Sequence, residues 1–226
     1  MKKITSAFTL AEVLITLGVI GVVAAMTMPT LIKNYKAVVL RSQLNKAYTS
    51  FAQATQMILT QEFDNNPALF LHNDANTTEL IKYYQKYMYK SVPCDRGANC
   101  STTIFPQALN ASFGGWVQTH YKTYNGNTSG PDCISDAAIS LQDGTFAILD
   151  EGIYLTIDIN GWKKAPNKFG HDFFMFQIVD GALKPMGTEG TNATYNVCSK
   201  TSTSIFNGRG CTAQALADKD YFKNLP

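Results

Sequence analysis

Four side chains between residues 158 and 172 could hold a hard cation. Asp158, Asn160, Asn167 and Asp172 lie in "DINGWKKAPNKFGHD", a Gly-containing stretch with oxygen donors at both ends. Calcium takes about six to eight oxygens in a flexible loop, which makes this segment a candidate calcium loop. Its spacing does not follow the EF-hand pattern, and too few of its donors are carboxylates that lie close together. The competing reading is a turn-rich connection in which Asp and Asn side chains bond their own backbone.

Cysteine chemistry is the second candidate. Cys94, Cys100, Cys133, Cys198 and Cys211 include two close pairs, in "CDRGANC" and "CSKTSTSIFNGRGC". Short loops of Gly, Ser and Asn close readily, and such bonds persist in an oxidising compartment. The expected bridges are Cys94–Cys100 and Cys198–Cys211, with Cys133 left over. Loop length alone supports that choice, and any four cysteines allow three pairings. Zinc is disfavoured, because there is no CxxC and His72, His120 and His171 are remote in sequence from the cysteines.

Acid–base chemistry finds less support. Asp150 and Glu151 sit beside Gly152, but neighbours in a turn point apart. No GxSxG, HExxH or phosphate-binding loop occurs. His120 and His171 stand in aromatic or turn contexts. The expectation is a protein without catalytic activity of its own.

The third candidate is a lone charge. "AFTLAEVLITLGVIGVVAAM", Ala7 to Met26, carries one ionisable side chain, Glu12. A carboxylate at the centre of a bilayer costs on the order of 2.5–3.5 kcal/mol or more. The apolar run from Phe8 to Ile32 would extend roughly 37 Å as a helix, enough to cross a hydrocarbon core of ~30 Å. Lys2 and Lys3 precede it, so the positive-inside rule puts the N-terminus in the cytoplasm and the remainder outside.

"KKITSAFTLAEVLITLGVIGVVAAMTMPTLI" resembles the N-terminus of type IV pilins and the pseudopilins of type II secretion. The resemblance covers about 30 residues and rests on leader lysines, Phe-Thr-Leu, Glu, Gly and Pro. It implies cleavage of a leader between Ala7 and Phe8 by a prepilin peptidase, and N-methylation of Phe8. Ala7 stands where the family carries Gly. It implies that Glu12, fifth in the mature chain, neutralises the α-amine of a neighbouring subunit and fixes axial register, a role attested for buried polar groups. Gly21 and Pro29 fall where the family keeps helix-loosening residues, and Pro29 should kink or loosen the helix near Met26–Pro29. Some relatives hold calcium in a loop, which bears on Asp158 to Asp172. Implied partners are other pilin or pseudopilin subunits in a helical filament, an inner-membrane assembly platform and membrane lipid. The implied location is the bacterial inner membrane and then an extracytoplasmic filament. The rival reading is a membrane-anchored extracytoplasmic binding domain that never polymerises.

The positioning elements follow from pattern. The chain has 226 residues, 45% hydrophobic and 16% charged, with a net charge of +2. That suits one domain plus a membrane segment and gives no sign of a strongly basic nucleic-acid binder. Leu40, Leu44, Ala47, Phe51, Ala54 and Ile58 recur every three or four residues, so one helix should run from about Thr9 to about Thr60. Lys33, Lys36, Arg41 and Lys46 give its middle a basic bias. "NTTELIKYYQKYMYK" reads as a short helix capped by Asn76, with tyrosines 83, 84, 87 and 89 as a packing or binding stripe. Asp143-Gly144 and Asp180-Gly181 are hairpin signals within β-rich runs, and "IYLTIDI" alternates like a half-buried strand. The expected fold is α+β and pilin-like: a long N-terminal helix on an antiparallel meander of four or five strands, with a disulfide-bordered C-terminal region. The expected segments are a leader at 1–7, an assembly helix at 8–32, its amphipathic extension at 33–62 and a globular domain at 63–226.

Overall fold

The computed structural model describes residues 9–68, 77–95, 113–130 and 136–226. Helix α1 (Leu10–Glu62) opens it as one 53-residue element, which at 1.5 Å per residue is about 80 Å long. Ala37, Leu44, Ala47, Phe51, Ala54 and Ile58 are all buried, so the helical spacing does form the core-facing stripe. The helix continues without interruption through Pro29. The loosening expected at Met26–Pro29 therefore does not break it.

Helix α2 (Thr77–Tyr87) packs beside α1. Its tyrosines pack and hydrogen-bond rather than form one exposed stripe. Tyr84 is fully buried, and its hydroxyl lies 2.7 Å from Thr55 Oγ1. Burial pushes the Tyr84 phenol up from its ordinary range. Tyr83 meets Phe63 edge-on, and Tyr87 donates to Glu62, which also takes Lys86 Nζ at 2.7 Å. Tyr89 alone of the four is strongly exposed. The Asn76 cap lies outside the described residues.

Six strands form one antiparallel sheet in sequence order: β1 (Val92–Asp95), β2 (Ala137–Ser140), β3 (Phe146–Asp150), β4 (Tyr154–Asp158), β5 (Phe173–Val179) and β6 (Ala182–Pro185). The first strand adds to the expected meander. Both outer strands are four residues long and carry a proline, Pro93 and Pro185. The hairpin signals hold. Asp143 Oδ1 accepts from the Thr145 amide at 3.0 Å inside the β2–β3 turn. Asp180 and Gly181 take φ +52° and +75° between Val179 and Ala182, the two-residue turn with both central residues left-handed. At Gly181 a Cβ would come within 2.5 Å of the Leu59 side-chain end on α1, which would have to move, while the positive φ itself favours glycine.

Strand β4 departs from expectation, because all five of its residues are buried. Its alternation separates two cores rather than a core and solvent. Leu155 and Ile157 join Ala147, Leu149, Phe174 and Phe176 against α1 and α2. Phe146, Ile148, Tyr154, Phe173 and Met175 face the other way, where Val117 of helix α3 (Phe113–His120), Tyr121 and Phe169 cover them. Each fully buried Leu, Ile or Phe contributes about 1.5–3 kcal/mol by leaving water.

A C-terminal segment seals the end of the structure. Helix α4 (Cys211–Ala217) is tied back by a Cys198–Cys211 disulfide, the bridge expected from loop length. Arg209 is fully buried. Its guanidinium donates to the Gly130 carbonyl at 2.8 Å and lies 4.9–5.2 Å from the rings of Phe169, Tyr195 and Phe206.

Candidate functional site

The N-terminal half of α1 stands clear of the folded domain. From Thr9 to Lys36 every residue is exposed except Ala24, which is partly covered. Leu14, Ile15, Ile20, Met26 and Leu31 are each more than 60% exposed. This helix is long and apolar enough to cross a membrane, and none of its most apolar window is buried. Exposed apolar patches of this extent occur at membrane-interaction and protein–protein sites. Gly18 and Gly21 have nothing within 4 Å of where a Cβ would sit, so neither makes room for a contact within this subunit.

Glu12 has a local role. Thr9 caps α1: its Oγ1 accepts from the Glu12 amide at 3.2 Å, and Glu12 Oε2 accepts from the Thr9 amide and hydroxyl, each at 2.8 Å. This reciprocal capping box satisfies donors that a helix start leaves open. The signal was readable as Thr9-Leu-Ala-Glu12, a Thr followed three residues later by Glu. Ala7 and Phe8 lie outside the described residues.

Of the cysteines expected to pair, Cys198 and Cys211 do. Cys94 is disulfide-bonded, whereas Cys100 lies outside the described residues. Asp150 and Glu151 point apart: the first is buried and the second exposed.

The oxygen donors of the 158–172 stretch come together, with both carboxylates fully buried. Asp158 Oδ1 accepts from the amides of Asn160 at 3.2 Å and Gly161 at 2.8 Å, and Oδ2 accepts from the Tyr121 hydroxyl at 2.7 Å. Asp172 Oδ1 accepts from the Lys168 amide at 2.8 Å, and Oδ2 from the Asn167 amide at 2.9 Å and Asn160 Nδ2 at 3.4 Å. Asn167 Nδ2 sits between His120 Nε2 at 2.8 Å and the Trp162 carbonyl at 3.1 Å. Burial first, then the charge of Asp172, pushes the Asp158 carboxyl up to about 7. Burial also raises Asp172.

In this arrangement the carboxylates are engaged by the loop itself. Every carboxylate oxygen already accepts from an N–H or O–H, and only the buried Oδ1 atoms of Asn160 and Asn167 are without a hydrogen-bond partner. The four side chains alone supply fewer than the roughly six to eight oxygens calcium takes, the rest of which would come from backbone carbonyls or water. Among the described residues no group of three or more His, Cys, Asp and Glu is placed to hold a metal. The cluster instead organises a loop: two carboxylates gather the amides of residues 160, 161, 167 and 168, the backbone-bonding alternative for this stretch. Sequence reading missed Tyr121, which donates from 37 positions away. It also missed Arg209, which has no local pattern to mark it.

No protein-family model, no curated protein and no solved structure matches this chain.

Proposed function

We propose that this chain is a structural subunit of a type IV pilus or a type II secretion pseudopilus, a pilin, minor pilin or pseudopilin. The observation that carries the reading is the exposed apolar half of α1, with Glu12 as its only charge before Lys33, projecting from a folded α+β domain. In this reading a prepilin peptidase cuts between Ala7 and Phe8, Phe8 is N-methylated, and the chain waits in the bacterial inner membrane until an assembly platform adds it to a filament. Subunits then bury the apolar half of α1 against one another in a heterologous, non-closing array. Glu12 meets the α-amine of a neighbour, which sets the stagger and removes the cost of an isolated charge in an apolar medium. The chain catalyses nothing itself.

The deciding experiment is Glu12→Ala with the domain's thermal melting as control. The expected result is loss of filament incorporation with melting unchanged, alongside peptide masses that place an N-methyl group on Phe8. Normal incorporation of Glu12→Ala overturns the register role. One observation favours a second reading, a membrane-anchored binding domain that does not polymerise: the Thr9–Glu12 capping box gives the carboxylate a use within one subunit. That reading expects an unmethylated N-terminus and no filaments from either form.

A further inference from the structure

We propose that the underside of the globular domain is a docking surface for anionic phospholipid headgroups, formed by Lys33 and Lys36 of α1 and Lys164 of the β4–β5 connection. The proposal rests on the reading that the apolar half of α1 lies in a bilayer, and it does not depend on polymerisation.

Helical spacing aims the first two lysines. Lys33 precedes buried Ala37 by four residues, and Lys36 precedes Leu40, which packs on the main core, by four. Residues four apart share a helix face, so both lysines continue the domain-facing stripe one turn below the point where the domain begins. The stripe there is exposed. A groove of about 360 Å³ opens between this turn and the connection, lined by Tyr35, Lys36, Val39 and Leu40 on one side and Lys164 and Pro166 on the other. It therefore has an apolar floor flanked by ammonium groups from two different elements.

Height along the helix selects the occupant. A bilayer that holds the apolar run to Ile32 has its headgroup layer over the next ~5–8 Å. Lys36 is four residues further, about 6 Å along the axis. Tyr35, 69% exposed, falls at the depth where amphipathic rings collect. None of Lys33, Lys36 and Lys164 forms a salt bridge among the described residues. The acidic side chains around this end of α1 are engaged elsewhere: Asp158 and Asp172, which both bond Asn160 at the groove, are fully buried and accept from loop amides and Tyr121, and Asp218 and Asp220 lie in the segment that Arg41 reaches. Asp220 is paired with Lys223 at 2.8 Å, and Arg41 donates to the Asp218 carbonyl at 2.7 Å. The surface next to the membrane is thus net cationic, and anionic lipid complements it.

The test uses the full chain in lipid nanodiscs of phosphatidylcholine alone or with 30% phosphatidylglycerol, reading hydrogen exchange of backbone amides in residues 160–168. We expect exchange in this segment to slow about fivefold or more with phosphatidylglycerol, on the scale of one lysine–headgroup contact. Lys36→Glu/Lys164→Glu should return it to the phosphatidylcholine value, with thermal melting unchanged. Equal exchange in the two lipids, or slowing that survives the double substitution, overturns the docking surface. Failure of the chain to co-elute with discs overturns both it and the membrane reading. A chain that enters discs and shows the slowing but never forms filaments removes only the polymer reading.

Discussion

The Tyr121 hydroxyl donates to Asp158 Oδ2 across 2.7 Å, with both residues fully buried and Tyr121 stacked on Phe173 at 3.9 Å between ring centroids. The pair fastens the segment after α3 to the end of β4. Tyr121→Phe keeps the stack and removes the donor, leaving a buried carboxylate oxygen short of one partner. The expected loss is about 1–3 kcal/mol in urea unfolding. Unchanged stability would mean that water replaces the hydroxyl.

The pH dependence of stability should combine opposed contributions, from the buried carboxyls of Asp158 and Asp172 on one side and the buried His171 imidazole on the other. The Asp158 carboxyl titrates at about 7 in the fold against 3.8 ordinarily. The native chain therefore holds an extra proton between those values, and stability falls as pH rises through that window. His171 is held down to about 4 against 6.5, mainly by burial. The native chain there lacks a proton the unfolded chain carries, so stability rises with pH from about 4 to 6.5 and is lost on acidification. Melting temperatures between pH 4 and pH 7 should separate the two. Relative to the parent, His171→Gln should lose ground as pH rises and Asp158→Asn should gain. Parallel curves for all three proteins would contradict this assignment.

Arg209 holds three rings around one buried cation. Arg209→Lys keeps the charge but replaces a planar guanidinium with a compact ammonium that cannot face Phe169, Tyr195 and Phe206 together. A desolvated cation–π contact is worth about 2 kcal/mol, and the expected destabilisation is of that order by chemical denaturation. A lysine variant as stable as the parent would show that the rings pack for shape alone.

The Cys198–Cys211 bridge closes a loop with a sequence separation of 13. A loop of that size stabilises by roughly 3 kcal/mol through the unfolded chain. Replacing both cysteines with serine should lower the melting temperature accordingly. It should also speed hydrogen exchange in α4 before it does so in the β3–β4 hairpin. Uniform loss across the whole domain would instead make the bridge part of the main cooperative unit.

The elements legible in the sequence were those encoded by short-range pattern. The stripe from Leu40 to Ile58 has helical spacing because one face of α1 meets the sheet. Asp180-Gly181 marks its turn because both positions need positive φ. The hidden elements depend on long-range partners. Strand β1, "VPCD", has neither length nor alternation, and it is a strand because β2 lies beside it. β4 looked half-buried because nothing nearby announces that α3 and Phe169 cover its second face. The oxygen donors of residues 158–172 were visible, but their use was not. Tyr121 decides where one lone pair of Asp158 points, and it belongs to another part of the chain.

Pro93 and Pro185 give the sheet two short, broken borders. A border lacking a regular run of free amides is a poor template for a foreign strand. Addition of a further strand along either border is therefore disfavoured. On the proposed reading, ordered association falls to the bare helix, where side chains rather than backbone choose the neighbour.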